Sequence, residues 1–297
     1  MSSPSEPAPA SAKSHLLPSS SEQVRCRLCG NNAASRHTER IVKGHQLVRC
    51  SNCEALMLRD CPSNDELRAL YDYLFREGEY EQHRVEFELL KRGKQPRNLF
   101  RRMLLRRAEA LTSGRQMIEI GGGTGSFGLL ARSRGWAYRN FDISEVAVNC
   151  CKELGLPAQL FAPESAPPLP ASSADLIVMW EVVEHVFDLR SYLVQIRAAL
   201  RSNGCFLFST PNYSAQMLKR ADSWGPLSSP PIHVNFFDSR SIEAVLRSAG
   251  FGELDLKMKR VTLPGPSLTG LMRSVQLMLH LEEPETIAGF ARISGSL

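Results

Sequence analysis

Nowhere does the chain carry eighteen uninterrupted apolar residues, and its start lacks a basic stretch followed by an apolar one. The first absence argues against a bilayer-spanning helix and the second against a secretory leader, so a soluble, cytoplasmic protein is expected. Charge of one sign is also scarce, the formal net charge being +5 over 297 residues. That modest excess suits an anionic or carrier-bound small-molecule substrate and makes nucleic acid an unlikely partner. Bulky apolar groups are few in the first 22 residues, which are rich in Ser, Pro and Ala; too little surface is buried there to order the segment, and a disordered tail is expected. Elsewhere 43% apolar and 23% charged residues permit an ordinary core, with length for one large domain plus a small one. Oligomeric state is not legible.

What is present begins with cysteine. Four of the eight form Cys26-Arg27-Leu28-Cys29 and Cys50-Ser51-Asn52-Cys53, two C-x-x-C pairs separated by a short segment. This is the pattern of a tetrahedral structural zinc site, each pair straddling a tight turn, with Gly30 easing the first. Two disulfides or a redox pair are the alternative, which a cytoplasmic setting disfavours. A segment of under forty residues lacks the area to fold alone, so metal binding would supply much of its folding energy. Cys61, Cys150, Cys151 and Cys205 show no such spacing and read as buried or incidental thiols.

The next signal is Glu119-Ile120-Gly121-Gly122-Gly123-Thr124-Gly125. Met117 to Ile120 is apolar enough for a buried strand, and Ser126 to Ser133 has helical spacing. Between them the backbone reverses tightly and leaves bare peptide for a ligand, which glycine permits. Asp142, about twenty positions on, closes a second strand, Trp136 to Phe141, where it would accept hydrogen bonds from ribose hydroxyls. A dinucleotide-dehydrogenase turn fits the glycines too, since Gly123 to Gly128 satisfies G-x-G-x-x-G. Ala174 to Met179 reads as a further central strand, running into Trp180-Glu181-Val182-Val183-Glu184-His185.

Together these pieces resemble the class I methyltransferases that use S-adenosylmethionine, in particular the ubiquinone-type and related small-molecule enzymes. The resemblance runs from roughly Gln116 to Lys257, and Phe206 to Asn212, His233 to Phe237 and a helix from Ser241 to Ala249 fit it. It implies an α/β fold, a Rossmann-like, seven-stranded, mostly parallel sheet, preceded by the small four-cysteine zinc module and a helical segment. It implies that Glu119 lies near the ammonium end of the cofactor, that Gly121, Gly123 and Gly125 form the turn beneath it, and that Asp142 takes the ribose. Ile143 and Glu181 join the cofactor set. Relatives usually carry Gly-Asp-Ala before an acid; this chain reads Phe161-Ala162-Pro163-Glu164, so the adenine partner is absent or has moved to Glu164. A zinc module before such a domain is similar to bacterial sugar C-methyltransferases, where it helps cover the substrate.

The expected organisation is a tail (1–22), a zinc module (23–62), a helical linker or lid (63–113) and the methyltransferase domain (114–297). In the linker, Leu67, Leu70, Tyr71, Leu74 and Phe75 share a helical face, as do Phe100, Met103, Leu104, Arg107 and Leu111. The family's N-terminal helix covers the cofactor, so Tyr71, Tyr73 and Tyr80 are lid candidates, with plain packing the alternative. Lys91, Arg92, Lys94, Arg97, Arg101, Arg102, Arg106 and Arg107 make the most basic stretch, a solvated face or a phosphate-holding one. Ser267 to Leu281 carries an apolar stripe, and Thr286 to Ser294 is a candidate last antiparallel strand.

Methylating a hydroxyl or carbon acid needs a base, and His185 and His233 are the candidates because both follow strand ends on the ligand-binding rim of an open α/β sheet. For His185 the other reading is a helix-start histidine bonded to backbone; for His233, a loop anchor. The expected activity is methyl transfer to a small molecule, O- or C-directed, of sugar or secondary-metabolite type. A ribosomal-RNA base methyltransferase is the second reading, since some carry a cysteine zinc module, but no Asn-Pro-Pro-Tyr-type tetrapeptide follows the fourth strand. A non-catalytic binding or assembly protein with a degenerate fold is the third, and the intact glycine turn argues against it.

Overall fold

The computed structural model describes residues 25–31, 34–60, 63, 65–66, 81–95, 98–162, 165–214, 218, 221, 230–259 and 286–293. Glu164, the tyrosines proposed as lid residues, Arg97, Cys61 and the 267–281 stripe lie outside them.

Two sheets organise the described residues. The larger has seven strands: β4 (Gln116–Ile120), β5 (Ala137–Asp142), β6 (Ala158–Leu160), β7 (Ala174–Trp180), β8 (Leu200–Pro211), β10 (Glu253–Lys259) and β11 (Thr286–Arg292). Their order is β10-β11-β8-β7-β4-β5-β6. The five from β8 to β6 are parallel, while β11 is antiparallel to both β8 and β10, as expected for the last strand. The α/β class read from the sequence holds. The second strand starts one residue later than expected and includes Asp142, because its parallel register with β6 continues to an Asp142–Leu160 pair.

Parallel strands buried on both faces read as continuous apolar runs, and β7 is buried throughout. Its alternate side chains serve two layers. Leu176, Val178 and Trp180 pack with Leu104 and Leu105 of α2 (Leu99–Leu111) and Phe127 and Leu130 of α3 (Ser126–Ser133). Ile177 and Met179 face the other way, toward Leu193 and Ile196 of α5 (Leu189–Ala199) and Ile242 and Val245 of α6 (Ser239–Ser248). Each such side chain, fully buried, contributes about 1.5–3 kcal/mol before entropy is counted. Between β5 and β6 lies α4 (Glu145–Glu153), capped by the Ser144 hydroxyl.

The described part of the helical linker expected over 63–113 holds two helices, the second of them in the stretch expected to lead into the first strand. Helix α1 (Glu81–Lys91) ends where Gly93 adopts φ +72°, a left-handed cap that closes the last turn, and α2 restarts at an Asn98 side-chain cap.

The second sheet has the order β1-β2-β3-β9, from β1 (Ala34–Val42), β2 (His45–Cys50), β3 (Leu56–Leu58) and β9 (Asn235–Phe236). Its first three strands come from the cysteine-rich segment. The fourth comes from the stretch following His233, so backbone hydrogen bonding ties that stretch to the cysteine segment.

Candidate active site and cysteine centre

The glycine turn lies at the carboxyl end of β4, between β5 and β7. Its backbone is anchored from below: Gly121 N–H donates to the Phe141 carbonyl, Gly122 N–H to Asn140 Oδ1 at 3.0 Å, and Gly123 N–H to Asp142 Oδ2 at 3.1 Å. Gly125, at φ +81°, has no room for a side chain, since a Cβ there would stand 2.7 Å from Leu156. A Cβ on Gly121 would collide with Val182. Gly123 differs. It too has a positive φ, +53°, but a Cβ there would meet nothing within 4 Å. Its surface opens onto free space, as a cradle for a ligand must, and α3 begins just beyond it without any side-chain cap on its first N–H groups.

Asp142 stands beside that space. It is 6% exposed, accepts from Gly123 and Ser144 N–H groups, and burial pushes its pKa up to about 6 against the pull of those bonds. Glu119 is 1% exposed and accepts from the Tyr138 hydroxyl at 2.5 Å; desolvation raises it to about 7. Ile143, half-buried, follows Asp142 at the same strand end. Thr124 donates from its hydroxyl to Glu86 of α1 at 2.8 Å, fastening that helix over the glycine turn. Arg101 of α2 lies over the Trp180 ring at 5.2 Å, and Arg107 pairs with Asp255, so two members of the basic stretch have partners within the protein.

A family model described as a methyltransferase domain matches residues 92–254, more than half of the chain and the stretch that carries the five parallel strands and the turn. The chain belongs to that methyltransferase family. A protein of Mycolicibacterium smegmatis named "Probable S-adenosylmethionine-dependent methyltransferase" is 33% identical over 84 residues, 28% of this chain and 31% of that one. A Mycobacterium tuberculosis protein of the same description is 30% identical over 84 residues, 28% of this chain and 29% of its own. The matched stretch thus spans about a third of the length of these curated relatives. Among solved structures, an S-adenosylmethionine-dependent methyltransferase from Archaeoglobus fulgidus superposes with TM-score 0.50 at 21% identity, covering 69% of this chain and 97% of that one. One from Thermotoga maritima gives 0.52 at 16%, covering 74% and 97%. At these identities the likeness is one of fold.

Within that family fold, the end of β7 brings the two candidate histidines together. Their rings meet edge to face with centroids 4.5 Å apart. His185 Nδ1–H donates to the Ile232 carbonyl at 2.9 Å, so the backbone-bonded reading and the site reading hold for one side chain. Burial depresses its pKa to about 4, against the pull of the Ile232 and Glu181 carbonyls beside the ring. His233 is 4% exposed, bonded through Nδ1 to the Tyr213 hydroxyl, and driven to about 2 by burial and then by His185. Both rings are therefore neutral at physiological pH. Glu184 is 0% exposed, and desolvation holds its carboxyl well above the usual range. Glu181 is exposed at φ +52° and accepts from Ser209 Oγ at 2.6 Å. Sequence reasoning named Glu184 and Thr124 only as parts of motifs and missed Tyr138, Tyr213 and Glu86; the acid-x-x-acid-His spelling and the glycine turn were the available signals for the first two, and none marked the others.

The four cysteines also converge. Cys26, Cys29, Cys50 and Cys53 are all buried, with sulfurs within 4.8 Å of one another. Cys29 Sγ and Cys50 Sγ are 3.8 Å apart; a tetrahedron with metal–sulfur bonds of about 2.3 Å has an edge of about 3.8 Å. The turns are built by Gly30 N–H to Cys26 O and Glu54 N–H to Cys50 O. The Cys53 thiol lowers Cys26 to about 5, favouring a thiolate there. Cys150, Cys151 and Cys205 are free thiols away from this set.

Proposed function

We propose that the protein transfers a methyl group from S-adenosylmethionine to the oxygen or carbon of a small-molecule acceptor, of sugar or secondary-metabolite type. The observation that carries this reading is the open face of Gly123 beside Asp142, at the same strand-end rim as His185 and His233. Asp142 would accept the ribose hydroxyls with the lone pairs left by its two backbone bonds. Gly121, Gly123 and Gly125 keep the turn flat beneath the ligand, Ile143 flanks it, and Glu119 supplies negative potential toward the ammonium group. Glu181 borders the cofactor side of the rim, and Glu164 is kept as the candidate adenine partner.

S-adenosylmethionine supplies an electrophilic methyl on a sulfonium. The protein's task is to align an acceptor in line with the carbon–sulfur bond and exclude water, and alignment alone removes about 7–11 kcal/mol of barrier in favourable cases. A neutral His185, with Nε2 unprotonated, is set to accept the acceptor's proton; His233, ring to ring with it, is the second candidate. The four-cysteine set is proposed to hold one structural zinc ion, on the buried four-thiol geometry given above, with no part in the chemistry. The same proposal keeps the boundaries at 22, 62 and 113.

A labelled-methyl transfer screen against extracts of the source organism, with mass readout of the product, tests the reading. A methylated metabolite supports it. Label appearing in RNA instead would favour the ribosomal-RNA reading, and failure to bind S-adenosylmethionine the non-catalytic one.

A further inference from the structure

Strand β5 carries three buried polar side chains at alternate positions, Tyr138, Asn140 and Asp142, and each of them reaches the glycine turn or the strand that feeds it. Asp142 accepts from Gly123 N–H and Asn140 from Gly122 N–H. Tyr138 differs. Its hydroxyl donates to Glu119 Oε2 at 2.5 Å, on the neighbouring parallel strand. Two glycines make room for it. A Cβ on Gly128 of α3 would stand 2.5 Å from the Tyr138 ring, and one on Gly122 would stand 2.8 Å from its hydroxyl and 2.7 Å from Asn140 Oδ1. A close-packed interior does not absorb contacts that short without displacement, so the ring occupies a slot that glycine leaves open. Tyr138 is 5% exposed, and burial holds its hydroxyl well above the usual phenol range, so it stays a donor. Among the described residues no other hydrogen bond reaches the Glu119 carboxyl. A carboxylate has about four acceptor sites, so one phenol leaves it open to a cation that brings further N–H donors.

We propose that Tyr138 is a positioning residue that fixes the Glu119 carboxylate to receive the ammonium group of S-adenosylmethionine, and that Gly122 and Gly128 are glycine in order to admit it. This role rests on the reading of the turn as the cofactor's seat. The hydroxyl has two effects. By occupying Oε2 it sets the rotation of the carboxyl and leaves Oε1 for a charged N–H donor. By donating to the ionised form it opposes the desolvation that raises Glu119 to about 7. Arg101 of α2 acts in the same direction, Asp142 of β5 acts against it, and the Cys151 thiol of α4 lies in the same field. Ionised Glu119 attracts an ammonium and the neutral acid does not. Affinity from that pair is therefore complete above about pH 7 and is lost as pH falls through it, and removing the hydroxyl moves the loss upward.

The test is calorimetry on the full chain with S-adenosylmethionine and with methylthioadenosine, which keeps the adenosine and lacks the amino-acid arm. The quotient of the two affinities cancels what Asp142 does at the ribose. In the wild type it should rise from the acid side through about pH 7. Tyr138→Phe keeps the ring in its slot and should lower the quotient about tenfold at about pH 6.5, the effect of a shift of about one pK unit, but less than about twofold at about pH 9. The ligand's own ammonium titrates alike against both proteins. On a Glu119→Gln background Tyr138→Phe should change the quotient no further. A merely structural tyrosine would weaken both ligands together and equally at every pH. A wild-type quotient without the rise, a loss shared by methylthioadenosine or flat with pH, or an undiminished loss on the Glu119→Gln background would each overturn the proposal. Where Tyr138→Phe does not fold, Gly128→Ala takes its place: a Cβ that crowds the ring should lower the quotient with the same pH signature, and an unchanged quotient overturns the proposal. Methylthioadenosine that fails to bind the wild type would remove the cofactor reading and this role with it, whereas its binding with a failed quotient removes this role alone.

Discussion

The cysteine centre, buried throughout, and the Glu184–His185–His233 cluster, where His185 is partly exposed, each gather metal-type ligands within 4.8 Å, yet they are assembled differently. Each cysteine pair is made by one tight turn, with backbone bonds from Gly30 to Cys26 and from Glu54 to Cys50 setting its shape. The second cluster needs a distant segment: His233 reaches Glu184 because Val234 and Asn235 N–H groups both donate to the Glu184 carbonyl and β9 pairs with β3. Local turns leave a regular spelling in the sequence, whereas convergence of segments does not. The two regions are also joined. Arg27, inside the first cysteine pair, donates to the Leu58 and Val234 carbonyls and lies over the Phe187 ring at 4.4 Å, and Arg190 of α5 donates to the Cys29 carbonyl.

The largest effect is expected from breaking the cysteine side. Cys53→Ser removes one of four ligands from a core that includes Leu28, Ala55 and Met57, and should abolish stoichiometric zinc by metal analysis. A stability loss beyond the about 2–5 kcal/mol of an ordinary core truncation is expected in thermal unfolding, because the proposed zinc ion would contribute to folding directly. Substantially less than one equivalent of zinc in freshly purified wild type would remove the zinc assignment itself.

On the other side, if His185 is the proposed proton acceptor, His185→Asn should lower turnover at least roughly a hundredfold with S-adenosylmethionine affinity nearly intact, since the ring would then act on the acceptor and not on the cofactor. A fall of less than about tenfold, together with reduced stability, would assign His185 to holding the Ile232 loop and shift attention to His233.

Legibility followed the same division. The strand-turn-helix from Met117 to Ser133 was readable because a buried parallel strand is a short apolar run and its turn admits only glycine. The seven-stranded sheet followed from the family resemblance, and Thr286–Arg292 fell where the last strand was expected. The helix leading into the first strand was readable from Phe100, Met103 and Leu104, whereas the turn that separates it from α1 rests on one left-handed residue, Gly93. Glu184 was legible only as a letter of the acid-x-x-acid-His spelling, because its full burial beside two histidines is a property of packing.

The cofactor side should respond less than the acceptor side does in rate. Asp142→Ala removes a charged acceptor, about 1.5–3 kcal/mol per bond, so affinity should fall roughly ten- to a hundredfold in calorimetry. Gly123→Val should weaken binding as well, because it strains φ +53° and fills the open face. The pH dependence follows from Asp142, raised to about 6. In the proposed role the ionised form would accept the ribose hydroxyls, so affinity should be complete above about pH 6 and decline toward about tenfold per unit below it. Asp142→Asn should flatten that slope; a slope that persists would have another origin.

The smallest effect probes the join between the two regions. Arg27→Gln leaves every cysteine ligand in place but loses the bonds to Leu58 and Val234 and the contact over Phe187. Since Val234 follows His233 and its N–H donates to Glu184, slackening this tie should misplace His233 by a fraction of an ångström without dismantling the site. Zinc content should stay at one equivalent. Stability should fall by about 1–3 kcal/mol, the range for hydrogen bonds from a charged donor, and turnover by less than about tenfold, with S-adenosylmethionine affinity unchanged. Arg27→Lys should rescue little, because a point charge cannot serve two carbonyls and a ring face as the planar guanidinium does. If turnover instead fell a hundredfold at wild-type stability, Arg27 would be contacting the acceptor itself, and the cysteine segment would be part of the substrate site and not merely its support.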